Sequence, residues 1–276
     1  MNQFFEDVDK LFVINLVHDL NRKKHVIKQF SNFEISNFEF IDAVTHKDQI
    51  VKNEYIENVV SFPPCFRCGR EKCSHENNFI TPKQVANFLS MKKIMEIIVM
   101  ENYKNVLIFE DDFVFKAFFK RSYMHFRDFW IKNKLADLNS PLLIRIGSHT
   151  RVNKKYYLKF LFLNKSTFLE DNVENMANPC FLINNLFAKH FLDNFKKIET
   201  TSDNFIHRKL CEKNNVRNFS IYPFPINQLS YGNKENKFVS TISETNTHHK
   251  NNFDEIQRVN DSSEYKNLKE NWLNQN

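Results

Sequence analysis

The stretch Val106-Leu-Ile-Phe-Glu110-Asp111-Asp112 joins a short apolar run to three consecutive carboxylates. A continuous apolar run of this length is typical of a strand that is buried on both faces. In open α/β sheets, ligands bind beyond the carboxyl ends of the strands. The sequence therefore predicts a buried strand that ends at a ligand-binding edge, with the three acids placed at that edge.

The segments on either side alternate between strand and helix patterns. Strands are predicted at residues 11–16, 38–43, 142–146, 180–183 and 219–225. Helices are predicted at residues 20–30, 81–102, 116–136, 184–195 and 202–213. The clearest helix begins at Thr81 and Pro82, where Gln84 completes a capping box. This alternation predicts an α/β fold with a mostly parallel sheet flanked by helices.

Glycine is scarce, with only Gly69, Gly147 and Gly232 among 276 residues, whereas phenylalanine occurs 30 times. Glycine-rich phosphate loops need clustered glycines, so the sequence excludes them. We interpret the excess of phenylalanine as mutational bias from an AT-rich genome. A bound phosphate must therefore be held by something other than a glycine cradle.

The acidic trio Glu110, Asp111 and Asp112 could hold a phosphate through a bound cation. Adjacent carboxylates repel one another unless a cation offsets their charge. Glu110 and Asp112 share one side of an extended chain, and oxygen ligands suit Mg²⁺ or Mn²⁺. A metal held there could bridge a diphosphate. The alternative is that the trio caps the next helix or ends the strand in solvent.

A second cluster of ligand-type residues lies in a polar, irregular stretch at 45–80, which we interpret as an insertion. Cys65, Cys68, Cys73 and His75 offer four ligands for a structural zinc ion. An odd total of five cysteines argues against a disulfide framework. The alternative is a set of reduced free thiols.

The bulk properties predict a cytoplasmic protein. The formal net charge of +6 is mild and favours anionic ligands without choosing among them. No apolar run is long enough to span a bilayer, and the N-terminus is acidic, unlike a secretory signal. Residues 243–276 form a polar C-terminal arm. Whether this arm contacts a membrane peripherally or mediates oligomerisation stays open.

Four stretches make this sequence resemble glycosyltransferase family 25, the lipopolysaccharide and collagen galactosyltransferase-like enzymes. They are FVINLVHDLNR at 12–22, FIDAV at 40–44, the block 80–112 that ends in LIFEDD, and residues 178–188. Short matches follow at 202–205, 223–228 and 240–242. One departure is Met91, which stands where the family usually has histidine.

The resemblance implies a Rossmann-like fold of the GT-A type over residues 1–242. It also implies a UDP-sugar donor, with galactose favoured, a Mn²⁺ or Mg²⁺ ion, and inverting transfer to a hydroxyl of a glycan or protein. By resemblance, Glu110, Asp111 and Asp112 form the metal and nucleotide motif, with Glu110 and Asp112 as metal ligands. Asn15 and Arg22 would lie near the nucleotide.

An inverting transferase needs a general base for the acceptor hydroxyl. Asp203 is the candidate, and its alternative role is a first-turn carboxylate that stabilises a helix N-terminus. His248 or His249 could supply a further metal ligand from the arm.

Two other classes compete with a glycosyltransferase. A zinc knuckle with a positive charge would suit a nucleic-acid-binding protein without enzymatic activity. Its basic residues are dispersed, however, so nucleic acid is not the favoured partner. A metal-dependent phosphohydrolase is the third reading, but the chain lacks the further His and Asp ligands of a two-metal site.

Overall fold

The structure is a computed structural model that describes residue 5 and residues 8–59, 80–148, 154–170, 179–213 and 216–229. The predicted zinc ligands Cys65, Cys68, Cys73 and His75 lie outside these residues. The predicted arm at 243–276, with His248 and His249, also lies outside them. Within the described part of the chain, no helix is long and apolar enough to cross a membrane.

The described strands form one seven-stranded and one two-stranded sheet. In chain order they are β1 Lys10–Asn15, β2 Phe38–Asp42, β3 Asn105–Glu110, β4 Phe113–Phe115, β5 Leu142–Arg145, β6 Thr167–Glu170, β7 Cys180–Asn184, β8 Arg217–Tyr222 and β9 Ile226–Gln228. The large sheet has the order β2-β1-β3-β7-β5-β8-β6, and β4 pairs with β9.

Most strands of the large sheet run in the same direction. β1 pairs in parallel with β2 and β3, and β5 pairs in parallel with β8. β7 is antiparallel to both β3 and β5, and β6 is antiparallel to β8. The strands β1, β2, β3, β5 and β8 therefore share one orientation, and β6 and β7 run the opposite way. The prediction of a mostly parallel α/β sheet is confirmed.

Helices cover both faces of this sheet. They are α1 Leu20–Ser31, α2 Gln49–Glu57, α3 Pro82–Met100, α4 Phe119–Lys132, α5 Lys154–Leu163, α6 Asn185–Asn194, α7 Ser202–Asn204 and α8 Leu210–Lys213. A π-helical turn, Phe205–Lys209, joins α7 to α8, and a 3-10 turn, Leu135–Asp137, follows α4. The helices predicted at 20–30, 81–102, 116–136, 184–195 and 202–213 are therefore confirmed within a few residues.

The buried strand β3 supplies two hydrophobic cores with alternate side chains. Val106 and Ile108 join the core that contains α2, α3 and α6. Leu107 and Phe109 join the opposite core, which contains α1 and α4. Alternation along a strand sends successive side chains to opposite faces. A fully apolar run is required here because both faces are covered.

Helix α3 begins as its sequence predicts. The Thr81 hydroxyl accepts a hydrogen bond from the Gln84 backbone N–H at 3.3 Å. The Gln84 side-chain Oε1 accepts one from the Thr81 backbone N–H at 2.9 Å. Both members of the capping box are thus satisfied, and the first turn of α3 is held in a defined position.

The prediction of irregular structure at 45–80 is wrong for residues 49–57, which form α2. Val51 and Tyr55 are spaced by one helical turn, and both are buried in the core beside α3. The Tyr55 hydroxyl donates to the Ile80 carbonyl oxygen at 2.9 Å. The other two apolar residues of α2, Ile50 and Ile56, are exposed, so the apolar pattern in the sequence does not mark the buried face of this helix.

Phenylalanine rings form a layer beneath the acidic trio. Phe109 precedes the trio and Phe113 follows it, and their ring centroids lie 4.8 Å apart. Phe30 of α1 lies 5.3 Å from Phe109, and Phe115 lies 5.1 Å from Phe113. Aromatic rings at these separations pack favourably. The strand end that carries the carboxylates therefore rests on a tightly packed aromatic core.

Gly147 lies just beyond β5, where the chain passes close to β7. A Cβ atom placed on Gly147 would lie 2.9 Å from the Cys180 backbone nitrogen and 2.9 Å from Pro179 Cγ. The Gly147 N–H donates to the Cys180 carbonyl oxygen at 2.8 Å. Any side chain at this position would push β5 away from β7.

Candidate functional site

A cavity of about 540 Å³ opens at the carboxyl ends of β1, β2 and β3. Its lining includes five residues that were predicted from the sequence: Asn15, Arg22, Glu110, Asp111 and Asp112. The structure thus brings together side chains that are almost a hundred positions apart in the chain. They meet because parallel strands place their carboxyl ends at one edge of the sheet.

Asp111 faces the protein and joins β3 to β1 and α1. Its Oδ2 accepts a hydrogen bond from Asn15 Nδ2 at 2.8 Å. Its Oδ1 pairs with a guanidinium nitrogen of Arg22 at 2.5 Å. Burial raises the pKa of Asp111, while Arg22 and Asn15 act in the opposite direction. Both of its oxygens have protein partners, so Asp111 orients the strand end.

Glu110 and Asp112 turn toward a common point. Gln228 of β9 donates from Nε2 to Glu110 Oε2 at 2.9 Å and to Asp112 Oδ2 at 3.2 Å. Gln228 is held there by the antiparallel pairing of β4 with β9, in which it lies opposite Phe113. Two carboxylate oxygens therefore converge on one side-chain nitrogen at the bottom of the cavity.

The surroundings of Glu110 disfavour its ionised form. Burial is the largest cause that raises the pKa of Glu110 well above its ordinary value. The neighbouring acids Asp112, Asp203 and Asp111 raise this pKa further, and Arg22 opposes them. A cation near Glu110 would favour its ionised form.

Asp203 belongs to the first turn of α7 and is partly exposed. Its Oδ1 accepts a hydrogen bond from the Asn204 backbone N–H at 2.9 Å. Asp203 is close enough to Glu110 to raise the pKa of that residue. The Ser202 hydroxyl also donates to the side chain of Asn87, a residue of α3 that lines the cavity. Asp203 itself is not among the residues that line the cavity, so the structure does not bring it into the site with Glu110, Asp111 and Asp112.

Basic side chains also line the cavity. His46 and Lys47 follow β2, and Lys83 lies in the first turn of α3. Burial is the largest cause that lowers the pKa of His46, and the charges of Lys83 and Lys47 lower it further. We call these three residues the basic rim, and Glu110, Asp111 and Asp112 the acidic floor.

The basic rim and Gln228 were missed as site residues at the level of sequence. His46 and Lys47 follow a predicted strand at the carboxyl edge of the sheet, as the acids do, and this position was a usable signal. Gln228 lies in the stretch 223–228 that resembles the family, so the resemblance was the usable signal there. Lys83 gave none, because its contact with the cavity depends on how α3 packs.

Met91 is fully buried and belongs to the core around α3. The preceding residue, Ser90, lines the cavity instead. The Ser90 hydroxyl accepts from the Val44 backbone N–H at 2.9 Å and donates to the Ala86 carbonyl oxygen at 2.8 Å. The departure from the family pattern therefore falls on a packing residue, and its neighbour fixes the loop after β2.

The acidic floor suits a hard divalent cation in its chemistry. Asp112 is 3% exposed, and its Oδ1 is buried with no hydrogen-bond partner in the described part of the chain. Glu110 and Asp112 offer only oxygen atoms, which Mg²⁺ and Mn²⁺ prefer. Within the same residues, no three His, Cys, Asp or Glu side chains are grouped to hold a metal. A cation here would complete its coordination with water or with oxygen atoms of a bound ligand.

The fold and the cavity define a class of α/β protein that binds its ligand at the carboxyl edge of a largely parallel sheet. Residues 8–206 match the family described as glycosyltransferase family 25 (LPS biosynthesis protein). The match covers more than half of the chain, so the chain belongs to glycosyltransferase family 25, and the suspected family is confirmed. No curated protein matches this sequence.

Proposed function

We propose that this glycosyltransferase moves a hexose, with galactose favoured, from a UDP-sugar to a hydroxyl of a glycan or protein, with inversion. The observation that carries the proposal is the convergence of Glu110 and Asp112 on one point at the base of the cavity. The family description, which names lipopolysaccharide biosynthesis, favours a glycan as the acceptor.

The nucleotide end of the donor would occupy the part of the cavity between β1, β2 and α3. The cavity volume of about 540 Å³ falls within the range of roughly 300–1,000 Å³ that is usual for small-molecule sites. Ile14, Val44 and Ala86 supply apolar surface there, and Asn15 and Arg22 lie beside them. The basic rim would attract the negative charge of the donor.

Glu110 and Asp112 would hold a Mn²⁺ or Mg²⁺ ion, and the amide of Gln228 lies within reach of both carboxylates. When bound, such an ion neutralises the charge that develops on a departing diphosphate. Asp111 would take no direct part, because Asn15 and Arg22 occupy its oxygens. Its contribution is to hold the end of β3 against β1 and α1.

Asp203 would accept the proton of the acceptor hydroxyl as that oxygen attacks the anomeric carbon. Inversion requires one displacement from the face opposite the leaving group, so the base must lie on the acceptor side. Two observations support the choice of Asp203: its charge acts on Glu110, and its helix is held to α3 through Ser202 and Asn87.

A structural zinc ion remains part of the proposal through Cys65, Cys68, Cys73 and His75. A closed four-ligand zinc site would stabilise the chain around it without catalysing the transfer. Metal analysis of chelator-washed protein should find about one zinc per chain. Free reactivity of all five thiols with little zinc would refute this part. The cytoplasmic location stays a prediction.

A panel of UDP-sugars with Mn²⁺ tests the transferase proposal by thermal shift and by UDP release. We expect one UDP-sugar to stabilise the protein and Asp112→Asn to abolish that stabilisation. Asp193→Asn, an exposed carboxylate on α6, is the matched control and should behave as the wild type. Tight binding of RNA or DNA, without stabilisation by any UDP-sugar, would instead support the nucleic-acid-binding alternative.

A further inference from the structure

Helix α5 exposes an unusual amount of large apolar surface. Leu158 and Leu161 are exposed, and Phe162 and Leu163 are 81% and 64% exposed. Single exposed apolar residues are common on soluble proteins, but a contiguous group marks an interaction surface. These four residues fall within six positions of one helix.

The spacing of these residues gives α5 two different faces. Leu158, Leu161 and Phe162 are three and four positions apart, so they share one face of the helix. Phe160 points the other way and is fully buried. Its ring lies 5.2 Å from the Phe118 ring and 3.8 Å below the Arg121 guanidinium. Phe160 thus anchors α5 to the body of the protein, while the face of Leu158, Leu161 and Phe162 is exposed. Leu163 is the last residue of α5 and is exposed beside this face.

The same segment is strongly basic. Residues 154–165 contain four lysines and no acidic residue, and the lysines are Lys154, Lys155, Lys159 and Lys165. Two of them lie in the first helical turn, where a positive charge opposes the helix dipole. These lysines therefore do not stabilise α5 through the helix dipole. A negatively charged surface outside the protein would account for them, because lysine stems can lie along apolar surface while their charges reach outward.

We propose that α5 docks on the surface of an anionic lipid bilayer, with Phe162 and Leu163 entering the boundary between headgroups and acyl chains. Apolar side chains bordered by lysine are the pattern of helices that lie in this interface. Ten residues are too short to span a bilayer. The proposal stands independently of the transferase chemistry, because it uses none of the cavity residues.

Charge argues against two other partners for the exposed face of α5, which are the C-terminal part of this chain and a second copy of the protein. Residues 230–276 contain seven acidic and six basic residues, so this part of the chain does not complement a lysine cluster. A second copy would bring the same four lysines against the first, because a two-fold interface joins identical patches. An anionic bilayer complements both the charge and the apolar face.

Co-sedimentation of the full chain with lipid vesicles tests the proposal. We expect binding to phosphatidylcholine vesicles that contain phosphatidylglycerol and little binding to phosphatidylcholine alone. The double variant Phe162→Ser, Leu163→Ser should lower the partition coefficient by about tenfold or more, because it removes the inserting side chains. Replacing Lys154, Lys155 and Lys159 with Ser should lower it by a similar factor and reduce its salt dependence, since of the four lysines only Lys165 remains.

Met100→Ser is the matched control, because Met100 is 74% exposed at the end of a different helix. This variant should bind vesicles as the wild type does. All variants should retain the wild-type melting temperature, since every altered side chain is exposed. Wild-type partitioning of the Phe162, Leu163 variant would overturn the proposal. So would a dimer of the wild type in solution that this variant converts to a monomer.

Discussion

The acidic floor and the basic rim line one cavity, yet they are built differently. The floor is a continuous run of residues at the end of β3, and its side chains are tied to β1, α1 and β9. The rim is assembled from the loop after β2 and the first turn of α3, with Lys47 exposed. The floor is thus held by contacts with three other elements, whereas the rim depends on how α3 packs beside the loop after β2.

The pKa values of Glu110 in the floor and His46 in the rim are shifted in opposite directions. Burial and neighbouring acids raise the pKa of Glu110, so the floor resists carrying its full negative charge. Burial and neighbouring lysines lower the pKa of His46, so the rim resists adding a further positive charge. Under the proposed function, a cation at the floor and a diphosphate at the rim would offset these two sets of charges.

The largest expected effect comes from Asp112→Asn, which removes one charge from the floor and keeps the shape of the side chain. If the floor holds a cation, hexose transfer should fall by roughly 10³-fold, because several kcal/mol of transition-state stabilisation are lost. UDP release at saturating donor measures this loss. Unchanged turnover would show that the floor does not take part in catalysis.

A second variant, Asp111→Asn, tests whether Asp111 stabilises the fold while Asp112 serves the reaction. Asp111→Asn removes the closer of two carboxylates that pair with the mostly buried Arg22, whose Nε also lies 3.4 Å from Asp19. We expect the free energy of unfolding to fall by about 1–3 kcal/mol, because a mostly buried charge loses its closer partner. Chemical denaturation measures this change. Asp112→Asn serves as the comparison and should be less destabilising, since Asp112 Oδ1 has no hydrogen-bond partner to lose within the described residues.

Glu110→Gln tests the raised pKa directly. A carboxyl group whose folded-state pKa is raised favours the protonated folded form, so it lowers stability as the pH rises above its unfolded value. The amide should therefore stabilise the cation-free protein at neutral pH. It should also weaken Mn²⁺ binding by about tenfold, because one anionic ligand is lost. Melting curves and Mn²⁺ titration by electron paramagnetic resonance measure the two effects.

The wild type should show a matching pH dependence. Protons compete with Mn²⁺ for Glu110, so affinity should fall with decreasing pH, beginning above the usual range for glutamate. Glu110→Gln should lose this part of the dependence. A wild-type affinity that is constant down to the ordinary glutamate pKa would contradict the coupling of Glu110 to the cation.

The smallest expected effect concerns the rim. Lys83→Gln should weaken UDP binding by roughly three- to tenfold and reduce its salt dependence, because one partly screened charge is removed. Mn²⁺ affinity without nucleotide should not change. Lys132→Gln, an exposed lysine on α4, is the matched control for isothermal titration. Equal loss in both variants would mean that the rim acts only through net charge.

The floor could be predicted from sequence because the apolar run and the acids are contiguous. Burial on both faces required four apolar residues, and the end of the strand fixed where the acids lie. The rim could not be predicted in this way, since His46 and Lys83 meet only after α2 and α3 have packed. Gln228 reaches the floor through the pairing of β9 with β4, two strands of three residues that give little sequence signal.

Gly147 shows how packing can oppose mutational drift. The chain has only three glycines, a scarcity that we interpret as mutational bias from an AT-rich genome. At Gly147 the backbone of the neighbouring strand occupies the space that any larger residue would need. A mutation at this codon would therefore separate β5 from β7. At this one position, steric necessity acts directly against the direction in which base composition would push the sequence.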